Sequence, residues 1–382
     1  MRAALAGMLA MAAAMGIGRF VYTPILPLML EEGALDAAQA GLVAGANFLG
    51  YLIGALAASL PFFAAGRRRN WFMAGLTLSV LTTAAMALPL GLPEMALVRF
   101  ASGIASAFAM IFVTSIVMAW LAQEERQGLI AFHFGGVGFG IAGSAALVSL
   151  LAANAVDWMD IWLWAGTAAL VALALSFLLL PANAPKAATA ETNGVEPAFP
   201  GSLWTYIISY GFFGFGYVIL ATFINAMAKT EPALQPVEPY VWAVVGLAGF
   251  PSVWLWNLFA ARYGMAAAYV GACLLEAVGV GLSVTVISPV MLLISAALLG
   301  ATFMAITAIG LARTRLLTQG SPARAIALMT ASFGLGQVVG PVVAGWLFEG
   351  TGTLFPASIM AAVALVVAGA LALVAERLHL AE

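Results

Sequence analysis

Charge is what this sequence has least of. Only 30 of its 382 residues are Lys, Arg, Asp or Glu, or 8%, while 64% are hydrophobic. A water-soluble domain carries about a quarter charged residues to solvate its surface, so most of this surface must face an apolar medium. Cysteine is nearly absent. Cys273 stands alone, which excludes an intrachain disulfide and a thiolate metal cluster. The two histidines, His133 and His379, are far apart and have no metal-ligand spacing around them. The net charge of −2 gives no basic surface for nucleic acid. No cofactor motif is readable.

What is present is a series of long apolar runs. About 20 apolar residues in a helix cross the hydrocarbon core, and the strand-length alternation of a membrane β-barrel is missing. The runs predict an all-α membrane protein with spans near 4–30, 37–63, 71–90, 95–121, 129–152 and 159–180. A second set lies near 204–228, 240–260, 265–287, 290–312, 325–348 and 355–375. Arg2 and the small residues Ala12 to Ala14 resemble a secretory leader. The apolar run continues to Leu30, however, and its glycines recur later in the chain, so it is kept as the first span.

Between the sets, residues 181–203 hold PANAPKAATAETNGVEPAFPGS and read as a solvated linker. It divides the chain into six-helix units at 1–180 and 204–382. With the N-terminus inside, the cytoplasmic segments hold Arg2, Arg67, Arg68, Arg69, Arg126, Lys186, Arg262, Arg313, Arg315, Arg324 and Arg377. Lys229 alone falls outside, and Arg19 and Arg99 lie within spans. This bias predicts an inner-membrane protein with both termini cytoplasmic. The units also repeat each other. Gly16-Ile-Gly18 corresponds to Gly214-Phe-Gly216, Gly103 to Gly300, and Gly138-Phe-Gly140 to Gly334-Leu-Gly336, at nearly constant offset.

Residues 16–27, GIGRFVYTPILP, followed by AGANFLGYLIGAL at 44–56, resemble the major facilitator superfamily and, within it, the YbfB/YjiJ-type branch. Arg99 with Gly103 and Ala105 is similar to the superfamily's span-4 arginine motif. GQVVGPVVAG at 336–345 resembles its Gly-Pro antiporter motif, moved from span 5 to span 11. The loop AAGRRRN at 64–70 keeps the basic end of the first cytoplasmic loop but has Phe63 where an aspartate is expected. The resemblance implies two pseudo-symmetric six-helix bundles, with spans 1, 4, 7 and 10 lining a central cavity.

An ionised side chain inside a membrane is costly and needs a reason. Arg19, bracketed by Gly16, Gly18, Pro24 and Pro27, sits where a bent or broken helix could face that cavity. It reads as a clamp for an anionic solute group, with a buried structural cation as the alternative. The resemblance implies a coupling role for Arg99, which could instead snorkel to the interface or tie span 4 to span 1. Glu276 is the one acid deep within a span. Burial penalises its charged form, so it is a candidate proton carrier, although the resemblance puts span 9 at the periphery. His133 is a third coupling candidate, or a residue facing interfacial water.

Tyr22, Asn47, Tyr51, Tyr210, Tyr217, Asn225, Thr302 and Gln337 complete the candidate solute pocket. Asn47 and Tyr51 share one helix face, and Tyr210, Tyr217 and Asn225 roughly another. Gly138-Phe-Gly140-Ile-Ala-Gly143 matches a dinucleotide fingerprint, but that motif needs a preceding strand. With Gly336, Gly340 and Pro341 it reads as helix packing and gating. Arg67, Arg68 and Arg69 are accounted for by topology without lipid recognition.

These features favour a monomeric secondary transporter working by alternating access, with a small-molecule substrate, the bilayer and a proton as partners. The absence of a P-loop leaves an ion or solute gradient as driving force. Two intramembrane arginines against one glutamate favour an organic anion or zwitterion. The aromatic content and the Gly-Pro motif favour instead a multidrug or amphipathic-compound exporter. A membrane sensor or scaffold would bind without turnover, and an enzyme would need a catalytic constellation that the sequence does not offer.

Overall fold

The computed structural model describes residues 1–64, 67–181, 199–318 and 322–381. Twelve long helices run through them, with no strand among the described residues. They are α1 (Arg2–Glu31), α2 (Ala37–Ala58), α3 (Arg68–Ala85), α4 (Leu92–Gln123), α5 (Ile130–Ala153) and α6 (Trp158–Leu179). The second six are α7 (Gly201–Thr230), α8 (Glu238–Tyr263), α9 (Met265–Thr285), α10 (Pro289–Leu317), α11 (Pro322–Thr351) and α12 (Phe355–Ala381). Eleven are long and apolar enough to cross a membrane. The remaining one, α3, begins at Arg68 and Arg69, which take up its first turn and lower the apolarity of its 18 residues.

The helices form two six-helix bundles, and the surface explains the composition. Leu81, Leu178, Leu247 and Leu335 are exposed, whereas Ser102, Ser106, Thr302 and Gln337 are buried. Lipid replaces water as the outer solvent, so polar side chains move inward and find partners there. Most of the linker, residues 182–198, lies outside the described residues. The junction between α6 and the linker is held by Arg69, whose Nη1 donates to the carbonyls of Leu180 at 3.3 Å and Pro181 at 2.8 Å.

The repeated glycines do the same work in both halves. Gly103 on α4 brings its Cα against the α2 backbone at Asn47 and Tyr51, and Gly300 on α10 does the same against α8 at Val245. A Cβ at either position would meet backbone, which cannot swing away as a side-chain end can. Gly140 on α5 packs on α1 at Ala12, and Gly336 on α11 packs on α7 at Gly211 and Phe215. Gly300→Val is therefore expected to push α10 off α8, at a cost of about 1–3 kcal/mol for overpacking. A lower melting temperature in detergent would register it, and an unchanged one would show that the helices separate freely.

The one irregular span is α1. Its α-helical turns stop at Met11, a π-helical stretch covers Ala12–Ile17, and regular helix resumes at Tyr22. The wide turns are visible as Gly18 N–H to Ala13 O at 2.8 Å and Phe20 N–H to Met15 O at 3.1 Å. Proline at position 24 contributes no N–H, and Thr23 N–H turns to the carbonyl of Phe20 at 3.2 Å. The expected break around Arg19 is present, and it releases backbone carbonyls into the interior.

The two bundles meet along α2 with α11 and α5 with α8. Gly41 rests on the Pro341 carbonyl, and Gly138 lies against Gly246 and Phe250. At the end where α1 and α7 finish, Lys229 pairs with Glu31 at 3.1 Å. Nearby, Ser149 Oγ donates to Pro239 O at 2.8 Å.

Candidate solute site

Where the broken α1 faces α11, Arg19 is buried at 4% exposure. Its Nη2 donates to Gln337 Oε1 at 2.9 Å. Gln337, itself fully buried, passes the connection on through Nε2 to the Tyr217 hydroxyl on α7. The guanidinium lies 4.0 Å from the Tyr51 ring centroid, 4.7 Å from that of Phe48 and 5.5 Å from that of Phe20. Such contacts favour a cation over ring faces. Arg19 Nε has no hydrogen-bond partner. Among the described residues no carboxylate pairs with it.

Beside Gln337 stands a wall of rings. Tyr217 lies parallel to Phe333, with centroids 5.7 Å apart and planes 2° apart, and to Phe303 at 6.0 Å and 12°. Phe213 and Tyr210 extend the stack against Phe333. The Tyr210 hydroxyl donates to Thr307 O at 3.3 Å. Phe20, Tyr217, Trp242 and Phe303 border an apolar gap beside the wall that has no room for a water.

The sequence pointed to Arg19, Tyr51, Tyr210, Tyr217 and Gln337, and the fold gathers these five. Phe333, Phe303 and Phe48 went unnoticed. The signal for Phe333 was its spacing of four from Gln337, which puts both on one face of α11.

Other candidates take different positions. Arg99 does not snorkel. It is buried at 2% exposure, and its Nη1 and Nη2 donate to the carbonyls of Gly18 at 2.9 Å and Arg19 at 2.8 Å. Ser102 Oγ adds a bond to Gly18 O at 3.1 Å. This geometry ties α4 to the break in α1. Asn47 supports the tie from behind, donating to Arg99 O at 2.9 Å. Tyr22 packs near the Arg99 guanidinium and donates to Ala40 O at 3.0 Å.

Asn225 lies away from the Arg19 cluster. Its Nδ2 donates to Glu238 Oε1 at 3.0 Å, holding the first turn of α8. Thr302 turns its hydroxyl back on Leu298 O at 2.7 Å. His133 faces no interfacial water. It is fully buried, its Nδ1 crowds the Gly7 Cα of α1, and its Nε2 lies 3.1 Å from Thr114 Oγ1 of α4. Glu276 is fully buried on α9 with neither carboxyl oxygen hydrogen-bonded. Of the glycines, Gly138, Gly140, Gly336 and Gly340 make close helix contacts, as does Pro341. Gly143 meets nothing within 4 Å.

Twelve long helices in two bundles, with buried polar groups gathered between them and apolar residues on the outside, define a membrane transporter of the major facilitator fold. Residues 11–373 match the family described as "Uncharacterised MFS-type transporter YbfB", and the chain belongs to that family. The family is one of transporters rather than enzymes, so a small-molecule substrate and a membrane are its partners. A gallate transporter of Pseudomonas putida is 29% identical over 160 residues, 42% of this chain and 35% of that protein. The match thus spans about a third of the relative's length. The nucleoside transporter NupG superposes with a TM-score of 0.72 at 15% identity, over 99% of this chain and 98% of the other. A bacterial homologue of the human lysosomal transporter Spinster, inward-facing and unoccupied, gives 0.69 at 16% identity over 99% and 97%. At these identities the likeness concerns the fold.

Proposed function

We propose that the protein is a secondary active transporter of a small organic anion, bound at Arg19 between the two bundles and carried by alternating access. One observation carries the reading. A guanidinium buried at the meeting point of the halves has no carboxylate partner among the described residues, and its Nε–H is left unbonded. Burying an unpaired charge costs several kcal/mol, and an anionic solute offsets that cost when it binds. Gallate, the solute named for the relative, is an organic anion. The same cation disfavours lipophilic cations as cargo, and with them the multidrug reading. A sensor would bind the anion without turnover.

The distribution of Lys and Arg supports placement in the inner membrane with both termini and the linker cytoplasmic. The division into units at 1–180 and 204–382 is part of the same reading, and a monomer suffices for it. The driving ion is a proton, taken up by a buried acid.

The test is uptake of labelled organic anions into proteoliposomes under an imposed pH gradient. Arg19→Gln removes the charge-assisted bonds and is expected to lower uptake by about tenfold or more, with the protein still folded. Equal uptake by the variant would remove Arg19 from the site, and binding without flux would support a sensor.

A further inference from the structure

Resting on the anion reading above, we propose that the solute carries its carboxylate on a planar aromatic ring, and that this carboxylate takes Arg19 over from Gln337. With Tyr51, Phe48 and Phe20 packed around it, the guanidinium bonds mainly through its edge. On that edge the Gln337 carboxamide supplies one acceptor to Nη2, while the buried Nε has none. A carboxylate supplies two acceptors in the parallel geometry that a guanidinium edge fits. Gln337 is therefore a neutral stand-in, weaker than the anion it keeps the place for.

The ring follows from what stands next to the anchor. Tyr217, which receives the Gln337 amide, lies parallel to and offset from Phe303 and Phe333, with planes within 12°. A flat ring arriving behind a carboxylate at Arg19 meets parallel ring faces and extends the stack. A saturated ring of the same size keeps the apolar contact but forgoes the stacking geometry.

The exchange also has a mechanical consequence. Arg19 lies on α1 and Gln337 on α11, so their bond crosses between the bundles. Displacing Gln337 removes a link that holds the halves together, and occupancy of the site thereby frees their relative movement.

The test is calorimetric titration of the purified protein with benzoate, cyclohexanecarboxylate and benzamide. Benzoate is expected to bind about fivefold tighter than cyclohexanecarboxylate, the contribution of ring stacking. Gln337→Leu should tighten benzoate about fivefold, because the competing hydrogen bond is gone. Gln337→Glu places a carboxylate on Arg19 permanently and should abolish benzoate binding while the protein melts as the wild type does.

Equal binding of the two carboxylates overturns the aromatic assignment and leaves the anion reading standing. Weaker benzoate binding in Gln337→Leu, or undiminished binding in Gln337→Glu, overturns the displacement. Benzamide binding as well as benzoate would overturn the anion reading itself. Failure of all three probes to bind overturns the aromatic carboxylate.

Discussion

Arg99→Leu is expected to destabilise the protein by about 1–3 kcal/mol, the cost of leaving a buried main-chain acceptor without its donor. The wild-type guanidinium makes two short bonds to the carbonyls of Gly18 and Arg19. Those carbonyls are exposed to the interior because α1 is irregular between Ala12 and Val21. Leucine fills space but donates nothing. Ser102 still serves Gly18 O at 3.1 Å, while Arg19 O loses its donor inside a membrane protein, where no bulk water substitutes. The break in α1 should then close toward regular helix, and because Arg19 itself lies in the break, its side chain would leave Gln337.

Arg99→Lys gives a measure of the geometry. A single ammonium is a point donor that does not span both carbonyls as the planar fork does, so part of the loss should return. Melting temperature and uptake are expected to fall together in both variants, the lysine less than the leucine. If uptake vanished while the melting temperature stayed put, Arg99 would be acting in transport coupling rather than in holding α1.

The sequence made the helices legible because lipid requires every span to be an apolar run. The break in α1 was legible for a similar reason. Gly16, Gly18 and Pro24 are poor residues for an uninterrupted helix, and a charge at Arg19 needs somewhere to point. Helix α3 marks the limit of the first signal, since Arg68 and Arg69 are helical as well as loop-like.

Side-chain direction was much less legible. Asn225 shares a face of α7 with Tyr217, yet it lies two turns further on and meets Glu238 instead of the solute site. Gly143 continues the spacing of Gly138 and Gly140 but meets no neighbour within 4 Å, because periodicity names a face and not what lies against it. Arg99 near a span end read equally well as snorkelling, and only the crossing of α4 over the break in α1 decides its direction. Phe333 and Phe303 were hidden among 23 phenylalanines in a chain where most face lipid or core.

Glu276→Gln is expected to abolish accumulation of the anion against its gradient while leaving exchange of labelled for unlabelled solute intact. Glu276 lies on α9 beside Cys273 and Thr302, within electrostatic reach of Tyr217, whose hydroxyl ends the Arg19–Gln337 connection. The hydroxyl of Thr302 is directed to Leu298 O, and neither carboxyl oxygen has a hydrogen-bond partner. A bare carboxylate there would cost several kcal/mol, whereas the neutral acid or its amide costs little. Glutamine therefore preserves shape and stability but carries no exchangeable charge.

Exchange needs only the solute site and the movement of the halves, so it should continue in the variant. Accumulation needs the downhill ion, and that step should stop. Proteoliposomes loaded with unlabelled benzoate measure the first, and the same vesicles under an inward pH gradient measure the second. Loss of both activities with a lowered melting temperature would assign Glu276 to the packing of α9. Full retention of gradient-driven uptake would place the proton site elsewhere, and His133, buried between α1, α4 and α5, would be the next residue to replace.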